Sequence, residues 1–191
     1  MKNSPFQSTN NMIIASLGIV INIALGTLLQ IIQIPLLFLD TIGTIFVAVV
    51  LGPFAGALTG GLTNIIQGIL TNPKDIPFAI VNIVVGLVVG FIAKKYKFNF
   101  KVAIITGLII SVVAPLIGTP IAVFISGGAT GGGTDIIFAW LLASGHKIFT
   151  AAFIPRIAGN LIDKIASCIM VALLIEAIPS NLIPKKASKD A

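Results

Sequence analysis

Charged residues are missing from long stretches of this chain: none occurs within 12–34, 54–71, 76–93 or 102–125. An α-helix needs roughly 20 apolar residues to cross the hydrocarbon of a bilayer, and a helix satisfies every backbone N–H and C=O internally where no water is present. Membrane helices are therefore the structures these runs can form. Composition agrees, with 57% hydrophobic and 9% charged residues against about 25% charged in soluble domains. The 191 residues suffice for about six crossings and little else.

The expected fold is an all-α integral membrane protein, a single domain over 1–191 with six transmembrane helices at about 12–34, 40–51, 54–71, 76–93, 102–125 and 156–178. The second run is short, and Gly52-Pro53 separates it from the third. Proline removes a backbone donor and favours a break there, although one kinked helix also satisfies the pattern. The apolar piece 136–143 is too brief to cross. Polar residues after Met1-Lys2 lead into a long apolar segment with no small-residue cleavage site, which predicts no removed signal peptide. Cys168 is the only cysteine, so neither an internal disulfide nor a thiolate metal cluster is expected, and no metal site is assigned.

Charge placement orients the helices. Lys2, Lys94, Lys95, Lys97, Lys101, Lys185, Lys186 and Lys189 are eight of the twelve basic residues, and six crossings put them all on one side. The positive-inside rule makes that side cytoplasmic, with both termini. The net charge of +6 is largely this signal, and nucleic-acid binding is not expected. Ser126 to Asp135, with five glycines in ten residues, then forms an external loop between helices five and six. Its bare amides and conformational freedom suit a lid, while the absence of a following Gly-Lys-Ser/Thr argues against a phosphate cradle. A mobile connector is the plainer reading.

Polar residues recur at one depth. Asn64 lies seven residues, or roughly 10 Å, below the outer end of the third helix, with Gln67 on its face, and Asn82 is at a similar depth in the fourth. In the sixth, Arg156, Asn160, Asp163 and Ser167 share a face; Gln30 and Gln33 approach the level from the first. Either these groups hydrogen-bond between helices, or they surround a ligand cavity open to the outside. Arg156 and Asp163 are about two turns apart, which favours partners on other helices. Lys164, off the face of Asp163, is expected to snorkel or to pair with another helix. Asp40 and Asp135 are read as helix caps, His146 and Lys147 as solvated loop residues, and Gly56/Gly60 and Gly86/Gly90 as close-packing pairs. An enzyme finds little support: there is one histidine, one cysteine, no His-Glu-x-x-His and no Gly-x-Ser-x-Gly, and Ser126 has no evident base.

Leu39-Asp40-Thr41-Ile42-Gly43-Thr44, Leu51-Gly52-Pro53-Phe54-Ala55-Gly56, Gly61-Leu62-Thr63-Asn64-Ile65, Thr134-Asp135 and Leu161-Ile162-Asp163-Lys164-Ile165 resemble, in order and spacing, the substrate-binding S components of energy-coupling factor (ECF) vitamin transporters. The resemblance implies a bacterial plasma-membrane protein that captures a water-soluble vitamin from outside. It also implies partners, a transmembrane coupling subunit and two cytoplasmic ATPases, so that ATP and magnesium belong to those subunits and no cofactor to this chain. Residues expected at the substrate are Gln33, Asn64, Gln67, Asn82, Gly128, Thr130, Asp135, Arg156, Asn160 and Asp163. Many relatives contact the coupling subunit through Ala-x-x-x-Ala on the first helix; here Ile19 follows Ala15 by four, and the seam Ala15, Gly18, Asn22 is expected to serve instead. The pattern is most similar to hydroxymethylpyrimidine or pyridoxine types, then pantothenate. A ring would use amide edges and Trp140, a carboxylate Arg156, Lys147 or loop amides. A self-sufficient ion-coupled transporter and a membrane enzyme are the alternatives.

Overall fold

Each apolar run forms a helix, and the breaks fall where backbone chemistry requires them. The structure, a computed structural model, describes residues 8–34 and 36–178, among which all regular structure is helical: α1 (Thr9–Ile32), α2 (Ile42–Leu51), α3 (Pro53–Leu70), α4 (Ala79–Lys95), α5 (Phe100–Ser126), α6 (Asp135–Ala143) and α7 (Ile148–Ala177), with a 3₁₀ turn at Pro73–Phe78 before α4. Lys2, Lys185, Lys186 and Lys189 lie outside the described residues.

The Gly52-Pro53 junction separates two helices and does not merely kink one. Gly52 has φ +100°, a conformation that side chains resist, and Pro53 opens α3 at the position where its missing N–H costs nothing. The run expected at 76–93 is divided, because the Asn72 side chain accepts Lys74 N–H at 3.2 Å and starts the 3₁₀ turn. At the other end of the chain α7 begins at Ile148, eight residues before the expected start at Arg156, and carries Pro155 inside. Packing against α5 and α6 holds the helix through the one backbone bond the proline removes. Its 30 residues reach about 45 Å, half as long again as the roughly 30 Å of hydrocarbon.

Among the described residues, four helical stretches are long and apolar enough to cross a membrane: Thr9–Ile32, Pro73–Lys95, Phe100–Ser126 and Ile148–Ala177. At ten residues α2 is about 15 Å long and cannot cross as a regular helix alone. It is instead the innermost element, with seven of its ten residues buried. Ile45, Ala48 and Val49 of α2 join Val85 and Val89 of α4, Ala103 and Ile110 of α5, and Cys168 and Val171 of α7 in the main core. This core fills the half of the bundle nearer the basic α4–α5 turn. On the outer surfaces large apolar side chains stand free, Phe124 at 92% exposure being the extreme, as befits helices solvated by lipid.

Small residues set the helix spacing. A side chain at Gly86 would enter the backbone of Gly56 and Ala57, one at Gly60 would meet the Asn82 backbone, and one at Gly90 would strike Pro53, so α3 and α4 touch backbone to backbone. The α1 seam is used inside the bundle. Asn22, fully buried, donates to Thr44 Oγ1 at 2.8 Å and Thr63 Oγ1 at 3.1 Å and accepts Gly43 N–H at 2.7 Å. Ala15 packs with Val47 and Ala55, and Gly18 lies against Gly43. The expectation that Ala15, Gly18 and Asn22 face a coupling subunit is therefore corrected: an amide cannot be left unpaired in hydrocarbon, and the seam turns toward α2 and α3. Asn22→Leu is expected to lower stability by about 1–3 kcal/mol through the stranded Gly43 N–H and Thr44 hydroxyl, measurable by thermal unfolding of the detergent-solubilised chain.

Candidate functional site

At the opposite end from the basic turn, the helix ends and three connections enclose a chamber of about 190 Å³. Its lining comes from α1 (Gly26, Leu29, Gln30), the α1–α2 connection (Leu37, Phe38, Asp40), α3 (Asn64, Gln67), the 3₁₀ turn (Asp75, Phe78), α4 (Val81, Asn82), α5 (Ala114, Pro115, Gly118), the glycine loop (Thr130, Gly132, Gly133, Thr134) and α7 (Arg156, Asn160, Lys164). Helical periodicity explains the convergence: Asn64 and Gln67 are three residues apart, and Arg156, Asn160 and Lys164 recur every four.

The hydrogen bonds across the chamber have a defined direction. Asn64 Nδ2 donates to the Asp75 backbone carbonyl at 3.3 Å, which can only accept. The other amide atom of Asn64, its oxygen, therefore faces Asn82 and accepts from Asn82 Nδ2, leaving the Asn82 oxygen without a protein donor. Asn160 Nδ2 likewise donates to the Arg156 carbonyl at 2.8 Å, leaving its oxygen open. Gln67 is 8% exposed, and its side chain lines the chamber without a protein hydrogen bond.

Helix α7 also anchors both connections that roof the space. Arg156 Nη2 donates to the Gly128 carbonyl at 2.7 Å and to Thr130 Oγ1 at 3.3 Å, and Nη1 to the Ala152 carbonyl at 2.9 Å. Asp135 closes the glycine loop on itself by accepting Thr130 N–H at 2.9 Å and Gly131 N–H at 2.6 Å. Further down α7, Asp163 Oδ1 accepts the N–H groups of Phe38 at 2.9 Å and Leu39 at 2.7 Å. Lys164 Nζ donates to Asp163 Oδ2 at 2.7 Å, Asp40 Oδ1 at 2.9 Å and Thr41 Oγ1 at 3.0 Å. The α1–α2 connection held this way carries positive φ at Gln33, Leu36 and Leu39, strained backbone that persists only where its surroundings enforce it. The two roofs meet at Gly133, whose Cα hydrogen faces the carbonyls of Gln33 and Ile34 so closely that no side chain fits.

Of the residues expected at the substrate, Asn64, Gln67, Asn82, Thr130, Arg156 and Asn160 line one space. Four do not. Gln33 ends α1 in the left-handed conformation on the surface; the Gly128 carbonyl is occupied by Arg156; Asp135 ties down the loop; and Asp163 lies beneath the chamber at 0% exposure, with both oxygens engaged. Nor are Asp40 and Asp135 caps: Asp40 pairs with Lys164, and neither α2 nor α6 has a side-chain cap bond. Arg156 and Asp163 have separate partners. Lys164 reaches both another segment and its own neighbour Asp163, because its long flexible stem curls back across the angle between adjacent positions. Trp140 stands outward at 67% exposure, so Phe38 and Phe78 supply the aromatic lining.

Sequence reasoning passed over Asp40, Asp75 and Lys164 as lining residues. The signal for Lys164 was an opposite-charge pair, Asp163-Lys164, at membrane depth; for Asp40 and Asp75 it was isolation, each being the sole acidic residue in its connection.

The model of the family "ECF transporter, substrate-specific component" matches residues 10–175. No curated protein and no solved structure matches the chain. A membrane bundle whose polar residues surround one small chamber is what a substrate-binding transport subunit requires, and with the family model spanning α1 to α7 the chain belongs to the substrate-specific components of ECF transporters.

Proposed function

We propose that this chain captures a small water-soluble vitamin at the outer face of the bacterial plasma membrane and delivers it inward in complex with a coupling subunit and two ATPases. The observation that carries the reading is the chamber itself: buried amides from α3, α4 and α7 with unpaired hydrogen-bonding atoms, beneath two connections anchored to one helix. Unpaired polar groups in a membrane interior are costly unless something arrives to pair them.

Six crossings suit this sidedness. The 33–41, 71–78 and 127–134 connections all border the chamber, while Gly52-Pro53 packs on Gly90 near the basic end of α4, so α2 and α3 form a descending and an ascending arm. Lys94, Lys95, Lys97 and Lys101 then face the cytoplasm and the chamber faces out. The volume of about 190 Å³ is below the roughly 300–1,000 Å³ of sites for drug-sized ligands. That favours a single-ring vitamin of the hydroxymethylpyrimidine or pyridoxine type, with pantothenate second. Asn64, Gln67, Asn82 and Asn160 would pair with its polar edge, and Phe38 and Phe78 would pack on the ring.

Native mass spectrometry of the purified chain is expected to find one retained small molecule. Asn82→Ala and Asn160→Ala are each expected to weaken its binding by about 1–3 kcal/mol, read by calorimetry; unchanged affinity in both would remove these residues from the site. Uptake is expected to require the coupling subunit and ATPases. Ion-driven uptake by liposomes containing this chain alone would instead establish a secondary transporter.

A further inference from the structure

The chamber's hydrogen-bonding capacity is lopsided, and this bears on the charge of the ligand. Of its two cations, Lys164 is fully committed and Arg156 is committed for the most part. All three N–H donors of Lys164 are taken by Asp40, Thr41 and Asp163. Arg156 spends three of its five N–H donors on Ala152, Gly128 and Thr130, and Asp135 offsets its charge. The acceptors are open. Asn82 and Asn160 present oxygens whose orientation is dictated by carbonyls that cannot donate in return. The Gln67 side chain, on a residue more than nine-tenths buried, has no protein hydrogen bond and adds a further open oxygen beside its own N–H groups. Asp75 lines the same space, its half-buried carboxylate accepts no hydrogen bond, and beyond the cost of that burial it feels the charge of Asp40. Counting the groups in and directly around the chamber, four carboxylates (Asp40, Asp75, Asp135, Asp163) face two cations. The surplus is negative, and Asp40 and Asp75 are the two of these carboxylates that line the chamber.

We infer that the chamber selects a ligand carrying a protonated or N–H-rich nitrogen, such as an alkyl ammonium or an aminopyrimidine edge, which sits between Asp40 and Asp75, and that it discriminates against a carboxylate. The inference rests on the reading of the chamber as a vitamin site, and within that reading it separates ligand types that size alone does not. A cation between Asp40 and Asp75 relieves their repulsion and gains charge-assisted hydrogen bonds. A carboxylate finds no free ammonium donor and adds a third negative charge.

Three probes sharing one ring test this: pyridoxamine with an aminomethyl group, pyridoxine with a hydroxymethyl group, and 4-pyridoxic acid with a carboxylate at the same carbon. On the full chain in lipid nanodiscs, calorimetry is expected to rank affinity pyridoxamine, pyridoxine, pyridoxic acid, with about tenfold or more between the first and last. In Asp75→Asn the gap is expected to narrow to within a few fold, and in Asp75→Glu to survive. The wild-type ranking stands as a test even if the asparagine variant fails to fold. Equal or tighter binding of the acid, or an undiminished gap in a folded Asp75→Asn chain, overturns the charge inference while leaving the vitamin site intact. Binding of none of the three, nor of an aminopyrimidine bearing a hydroxymethyl group, at millimolar concentration removes the single-ring reading, and this inference with it.

Discussion

Lys164→Met is expected to destabilise the folded chain by about 3–5 kcal/mol, the cost of stripping a buried ion network of its only cation. The side chain is almost fully buried, as is that of Asp163, whereas Asp40 is 39% exposed. Most of the effect therefore comes from Asp163, and the partly solvated Asp40 adds little. The change also loosens the α1–α2 connection, whose left-handed residues each store about 1–3 kcal/mol of strain, so ligand affinity should fall along with stability. Adding Asp163→Asn to Lys164→Met is expected to recover part of the loss, since the uncompensated charge goes while an amide oxygen still accepts the N–H groups of Phe38 and Leu39. Thermal unfolding in detergent reads both variants. A Lys164→Met chain that unfolds with the wild type would show that the network holds nothing together.

Gly43→Ala is the second large effect. The added methyl would collide with the carbonyl oxygen of Gly18, and because the obstacle is backbone, no side chain can rotate away. α1 must move off α2. Overpacking of this kind costs about 1–3 kcal/mol, and the displacement also breaks the 2.7 Å bond from Gly43 N–H to Asn22, worth about 1–3 kcal/mol once the buried partners are stranded. Gly132→Ala is the matched control: nothing lies within 4 Å of its added methyl, and a change within about 0.5 kcal/mol is expected. Equal melting of the two variants would mean that the α1–α2 approach is not close in the folded protein.

Much of the site was legible because helical geometry is local. Spacing put Asn64 with Gln67 and Arg156 with Asn160 on common faces, and counting from helix ends brought them to one level with Asn82. The misassignments around the chamber share a cause: connections have no periodicity. Asp40 and Asp75 looked like polar punctuation between helices, and nothing local shows that the first pairs with a lysine 124 residues away. Asp163 was placed at the right depth but given to the substrate, when its oxygens hold Phe38, Leu39 and Lys164 instead. The α1 seam misled differently. Its small and polar residues had to meet protein, and the sequence held no sign of whether that protein was another subunit or α2 and α3.

By itself the sequence determined that this chain lives in a membrane, which stretches form its apolar helices, though not all their ends, and which residues are too polar to face lipid, because each of these follows from summing transfer free energies along a continuous segment. Only the tertiary structure decided how those polar residues divide between binding and scaffolding. A hydrogen bond is satisfied once, and which partner takes it depends on groups brought together from opposite ends of the chain.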